Sequence, residues 1–304
     1  MEVKNVIRNV KSYEELEFSD DFMFKRVMMD PEISRGVLER ILGVRIDRVE
    51  YPEMDKQIDT AYEVRGIRMD VYLKDDNTRY DIEMQTKPKK AIGRRSRYYQ
   101  SSVDMDAIDK GEDFLDLKDS MIIFICTFDP FGRKRHLYSF KTMCEQDAAV
   151  DLDDGTVKII LNTKGTMDDV SPEMIRFLKF VENMNSVRTD DDELLARIRK
   201  RILTERISKE GRQEYTMFQM YYNDTLREGR EEGREEGREE GEMCKLISLV
   251  CKKLQKHKTI EVIAEELEED VTAIQKIVDA AQKCAPDYDT DAVYRVLTES
   301  SEKS

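Results

Sequence analysis

The chain has 304 residues, of which 39% are hydrophobic and 38% charged, with a formal net charge of -14. That is enough apolar material for one sizeable domain and a smaller one, and it excludes a fibrous or wholly disordered chain. The acidity argues against a surface that coats nucleic acid generally, so any such contact needs a local basic patch.

The segment FSDDFMFKRVMMDPEISRGVLERILG (18–43) predicts two helices, with Ser19 or Asp20 as N-cap, a break at Asp30-Pro31 and Gly43 as the stop. Asp21 and Lys25, one turn apart, read as a solvated ion pair. VRIDRVEYP then reads as a short strand or loop.

IRMDVYLKDDNTRYDIEMQT (67–86) alternates as an antiparallel hairpin. Ile67, Met69, Val71 and Leu73 share one side of the first strand; in the second, Tyr80, Ile82 and Met84 turn away from Asp81, Glu83 and Gln85. A loop at Asp76-Asn77 sets Val71 opposite Ile82, Met69 opposite Met84, Arg68 opposite Gln85 and Asp70 opposite Glu83. Two acids about 5 Å apart across a strand pair are destabilising unless compensated. Either neighbouring cations neutralise a solvated face or a divalent ion sits between them.

The composition then turns basic: TKPKKAIGRRSRYYQ holds Lys87, Lys89, Lys90, Arg94, Arg95 and Arg97 with no acid. A helix from about Lys90 to Ile108 is predicted, with Arg94, Arg97 and Tyr98 on one side and Ile92, Tyr99 and Val103 toward a sheet. Phosphate binding, with tyrosines against sugar or base, is one reading and a solvated basic face the other. SMIIFICTF (120–128) is a central, doubly buried strand by its continuous apolar run; the turn DPFGRK, HLYSFKTM (136–143) and VKIILN (157–162) follow. Helix, hairpin, helix, strand, strand is an α/β layered domain with a mixed sheet.

Ser171-Pro172 opens a further helix, and Thr189 with its aspartates caps a long one running from Leu194 to Phe218, Tyr221 and Tyr222. It leads into REGREEGREEGREEGE, with Gly229, Gly233, Gly237 and Gly241 in a slowly drifting stripe. Each interior glycine costs a helix about 1 kcal/mol against alanine, and Glu–Arg pairs recover only tenths. An oligomerisation arm and a flexible charged linker are the alternatives. LISLVCKKL, TIEVIAEEL and VTAIQKIVDAA are three short helical patterns with breaks near His257 and Glu269, and the stretch from Ala285 reads as loose. The last two helices outline a helix-turn-helix, but its acids would repel phosphates, which favours a protein-interaction module.

Five scattered cysteines (Cys126, Cys144, Cys244, Cys251 and Cys284) read as core thiols, and His136 and His257 lack partners at metal or triad spacing. No apolar run approaches the ~20 residues of a membrane span, and MEVKNVIRNVKSYEELEF has no signal-peptide core. A cytoplasmic protein that contacts no membrane is expected.

Residues 18–165 resemble the PD-(D/E)XK nuclease superfamily, and specifically the bacterial Rpn-type recombination-promoting nucleases, the nuclease family transposases. The resemblance is carried by FSDDFMFKRVM, RMDVYLKDDNTRYDIEMQ, RRSRYYQSSVD, IIFICTFDPFG, DDGTVKIILNTKG and the EG repeat. It implies a restriction-endonuclease-like αβββαβ core and a magnesium-dependent endonuclease acting on DNA, with recombination or transposition of mobile DNA as its setting. The implied site comprises Asp70, Glu83 and Gln85, with Asp70, Glu83 and the Met84 carbonyl on magnesium, or manganese in its place. Lys87, Lys89, Lys90, Arg94, Arg97 and Tyr98 would contact DNA. Gln85 stands where the superfamily most often has lysine, so the missing charge must come from elsewhere, with Lys87, Arg94 and Arg97 as sources. The expected layout is a nuclease-like domain over 1–168, a helical extension over 169–226, a repeat arm over 227–242 that assembles copies of the chain, and a small helical module over 243–304. The alternative is a catalytically weak or inactive protein of the same fold that binds DNA or regulates as an oligomer.

Overall fold

The computed structural model describes residues 11–50, 52–58, 67–108 and 111–301. The first ten residues, on which the reading of the N-terminus falls, lie outside these. By its contacts the chain divides into two compact units, Met1–Thr216 and Met217–Ser304.

In the first unit Asp20 holds the N-cap position of α1 (Asp21–Met28) with its carboxylate turned back to the Glu17 N–H, and the Asp30 carboxylate caps α2 (Pro31–Leu42) by accepting from the N–H groups of Glu32 and Ile33. Proline at the first helical position fits the predicted break. Gly43 ends α2 in the left-handed conformation, φ 71°. The strand that follows is β1 (Glu53–Ile58), beyond the segment read as strand or loop; its sequence EMDKQI has no apolar alternation to announce it. β2 (Ile67–Lys74) and β3 (Thr78–Gln85) form the hairpin. α3 (Ile92–Ala107), β4 (Asp119–Cys126), β5 (Leu137–Phe140) and β6 (Thr156–Asn162) follow.

The six strands form one mixed sheet in the order β1-β2-β3-β4-β6-β5. β3, β4 and β6 run parallel, and β1, β2 and β5 are antiparallel to their neighbours. The fold is the α/β core the resemblance implies, followed by a helical C-terminal region. β4 is central and both its faces are covered, as its continuous apolar run requires. Ile122, Phe124 and Cys126 pack beneath α3 with Val103, and the alternates Ile123 and Ile125 are equally buried.

α4 (Pro172–Glu182), capped by Ser171, and α5 (Glu193–Arg206), capped by Asp192, complete this unit together with the start of α6 (Lys209–Leu254). The single long helix expected after Thr189 is thus two helices, broken at Ile207-Ser208. The repeat is helical throughout and continuous with LISLVCKKL, which is the end of α6 and not a separate helix.

In the second unit the end of α6 packs with α7 (Ile260–Leu267), α8 (Val271–Lys283) and α9 (Thr290–Ser301) around Ile247, Val250, Ile263, Ile274 and Val293. α9 corrects the expectation of a loose tail: Asp289 accepts from the Ala292 N–H at 3.0 Å as its cap, and Val293 is fully buried. All five cysteines are free thiols; Cys126 and Cys251 are buried, while Cys144, Cys244 and Cys284 are half-buried. Among the described residues no helix is long and apolar enough to cross a membrane.

Candidate active site

The hairpin has the predicted register, with Val71 opposite Ile82, Tyr72 opposite Asp81 and Leu73 opposite Tyr80, but the β2–β3 ladder ends at Val71–Ile82. Beyond that point β2 pairs on with β1, Arg68 with Gln57, and β3 pairs on with β4, as far as Gln85 with Cys126. The two strands therefore part into a fork. The ladder expected between Arg68 and Gln85 and between Met69 and Met84 does not form.

Asp70 and Glu83 sit at the mouth of this fork, and their side chains replace the missing ladder bonds. The Asp70 N–H donates to Glu83 Oε1 at 3.0 Å, and the Met84 N–H donates to Asp70 Oδ2 at 3.1 Å. Each carboxylate is thus fixed by the backbone of the opposing strand.

Lys25 from α1 lies 3.1 Å from Asp70 Oδ1 and 3.0 Å from Asp21. It is not the solvated partner of Asp21 that the spacing suggested: its side chain is 12% exposed and spans from helix to sheet. From α3, Arg95 donates to Gln85 Oε1 at 2.8 Å and approaches Glu83 Oε2 at 3.7 Å. Its guanidinium is held over the rings of Tyr99 and Phe124, 5.6 and 5.3 Å from their centroids. Gln85 also donates from Nε2 to the Met84 carbonyl at 3.0 Å, so its amide ties Arg95 to the fork.

The cations delivered to the carboxylates are therefore Lys25 and Arg95. Among the described residues Lys87, Arg94 and Arg97 make no ion pair with them; Lys87, Lys89, Lys90, Arg94 and Arg97 are exposed. Tyr98 is half-buried against the cluster beneath α3. A signal for Arg95 was present in the sequence: it lies four residues before Tyr99, on the helix face already assigned to the sheet. No comparable signal marks Lys25.

Burial dominates the electrostatics. Asp70 is held above the ordinary carboxylate range by burial, against the pull of Lys25 and with the push of Asp21. Glu83 is pushed up to about 8 by burial and then by the charge of Asp70, against Arg95. Asp81, two residues before it, is wholly inaccessible, and neither of its oxygens has a hydrogen-bond partner. Burial, then Glu83 and Asp70, drive it well above the usual range.

The donor set fits a divalent cation of the magnesium type. Such an ion takes one or two carboxylates, a carbonyl, waters and phosphate oxygens and needs no larger cage. Among the described residues no group of three or more His, Cys, Asp or Glu side chains is placed to share an ion.

Comparison with curated proteins and with solved structures yields no match. A family model does match, over residues 19–232, and so takes in both helices before the sheet, the fork and the basic helix. The chain belongs to the PD-(D/E)XK nuclease family transposases.

Proposed function

We propose that this chain is a metal-dependent endonuclease that hydrolyses phosphodiester bonds of DNA in recombination or transposition of mobile DNA. The observation that carries the reading is the fork: a buried and a half-buried carboxylate face each other where the sheet opens, each locked by the other strand's N–H. Asp70 and Glu83, with the Met84 carbonyl, would hold magnesium or manganese. When bound, such an ion lowers the pKa of a coordinated water and stabilises charge building on the phosphate.

The remaining work falls to side chains of this chain. Lys25 and Arg95 supply the positive charge that Gln85 cannot, and Gln85 orients Arg95. Lys87, Lys89, Lys90, Arg94 and Arg97, exposed beside the fork, bind the DNA backbone, with Tyr98 at the margin. A cytoplasmic location belongs to the same reading and is supported by five free thiols. Residues 227–242 act as an arm joining copies of the chain: the glycines have open space beside them for a second helix.

The second reading, a weak or inactive nuclease fold that works by binding DNA, is favoured by Gln85, whose amide is already engaged on both sides. Supercoiled plasmid incubated with the full-length protein in magnesium, manganese or EDTA separates the two. Metal-dependent nicking that disappears in Asp70→Ala and Glu83→Ala is expected. Nicking that persists in both variants removes the proposed site, and an inert wild type in both metals favours the second reading.

A further inference from the structure

The parallel strands β3, β4 and β6 end on one edge of the sheet, and this edge also holds the fork. The opposite edge is acidic, with Asp75, Asp76, Asp113, Asp116 and Asp153 in the segments that lead into these strands and Asp119 opening β4. These acids repel phosphates, which leaves the fork edge as the favourable side for a polyanion. On that edge the basic segment after β3 has a counterpart not yet given a role: the turn between β4 and β5, FDPFGRKR.

The turn is built as a rigid platform. The Asp129 carboxylate accepts from the N–H groups of Phe131 (3.1 Å), Gly132 (3.0 Å) and Lys134 (2.7 Å), and from the Tyr138 hydroxyl at 3.2 Å. Its negative charge is thereby spent on the backbone. The Lys134 carbonyl accepts from Thr166 and Met167 N–H at 2.8 and 3.2 Å, strapping the turn to the segment after β6. Lys134 holds φ 60°, a left-handed conformation that glycine or asparagine adopts more easily. A long cation is therefore kept where a small residue would be the relaxed choice.

Arg133 and Lys134 are exposed, and neither has an ion-pair partner among the described residues; Arg135, next to them, faces Asp169 at 3.7 Å. The platform adjoins the fork directly. The Thr127 N–H donates to the Gln85 carbonyl at 3.0 Å, and the Thr127 hydroxyl to the Thr86 carbonyl at 3.3 Å. The turn thus starts one strand spacing, about 5 Å, along the edge from the proposed catalytic strand.

We infer that Arg133 and Lys134, presented by this turn, bind phosphates of the duplex flanking the cleavage point, so that the DNA footprint runs from the start of α3 across β4. This rests on the nuclease reading above. Rigid presentation suits the role, because the backbone that carries the two cations is already ordered and loses little entropy when they meet a phosphate.

The test is duplex binding by the full-length chain carrying Glu83→Gln, followed by fluorescence anisotropy of a labelled short duplex across a salt series. Adding Arg133→Gln/Lys134→Gln should weaken binding about tenfold at low salt and reduce the salt slope by about 2, the loss of two phosphate contacts. The charge-keeping pair Arg133→Lys/Lys134→Arg should retain affinity and slope, which separates lost charge from a damaged turn. Lys118→Gln/Lys141→Gln, equal in charge but away from this edge, should leave both unchanged. If the neutralised turn binds with the parental slope while the wild type cleaves plasmid, the inference fails and the nuclease reading stands. If the parental protein binds no duplex and the wild type cleaves nothing, both fall.

Discussion

The strand fork and the Arg-Glu-Glu-Gly stretch of α6 are both rich in carboxylates, and the chain treats them in opposite ways. At the fork, Asp81 and Glu83 are 0% and 3% exposed; burial raises both, and neighbouring carboxylates push further, Glu83 and Asp70 on Asp81 and Asp70 on Glu83. Along residues 227–242 every side chain is exposed, and charges meet only as local pairs such as Arg238 with Glu235 and Glu242. Exposed helical pairs contribute tenths of a kcal/mol each and can be exchanged freely. Buried like charges oppose folding, so their retention points to chemistry. Removing carboxylates at the fork should therefore cost activity, and removing those of the repeat should act on assembly.

The largest effect should come from Glu83→Gln, which keeps the shape and removes the charge. Metal-dependent cleavage should fall by about a thousandfold or more. The metal-free protein should at the same time melt higher at pH 8, because a buried ionising acid has gone. A variant that loses stability along with activity would mean that Glu83 is a structural residue, and the contrast with the repeat would collapse.

Next in size is Lys25→Ala. If its ammonium supplies the charge that Gln85 lacks, cleavage at saturating magnesium should slow by about a hundredfold. Apparent magnesium affinity should tighten, since a cation competing for Asp70 is removed. Adding Gln85→Lys should recover part of the rate. An unchanged rate at every magnesium concentration would assign the role to Arg95 alone.

Legibility in the sequence followed the range of the interaction. The hairpin register was readable because side-chain period two and a turn at Asp76-Asn77 leave little freedom, and this set Asp70 against Glu83. What could not be read was the parting of the strands beyond Val71, which depends on β1 and β4 competing for them. β1 itself is polar and was placed too early. Lys25 reaches the site only through tertiary packing, and a helical i, i+4 acid offered a sufficient local partner. Arg95 and α9 are different: helix phase marks the first and an Asp-Thr cap the second, both local signals present in the sequence.

A smaller effect is expected from pH. Glu83 holds its proton to about 8 in the fold and to about 4.5 as a free side chain. Below the lower value both states are protonated, and the stability is fully present. Between the two the unfolded chain releases a proton that the folded one keeps, so stability falls as pH rises through this window. Melting temperature in EDTA should decline over it, with Asp70 adding in the same direction. If magnesium or manganese is held by the deprotonated pair, as proposed, adding it should flatten the slope, with affinity rising up to about pH 8. A melting temperature indifferent to pH in EDTA would mean that the carboxylates are already compensated.

The smallest effect carries the most information about the repeat, because its sign decides between two pictures. A Cβ added at Gly237 meets nothing within 4 Å in the chain itself. In an isolated helix, Gly237→Ala should therefore stabilise by about 1 kcal/mol. If a second copy packs closely along the glycine stripe, the same methyl group must push the helices apart. The variant would then be more helical by circular dichroism yet associate more weakly by light scattering. Cleavage by the fork should not change in either case. A gain in helicity with unaltered association would make the stripe a feature of a charged spacer, and the pairing of copies would have to lie elsewhere.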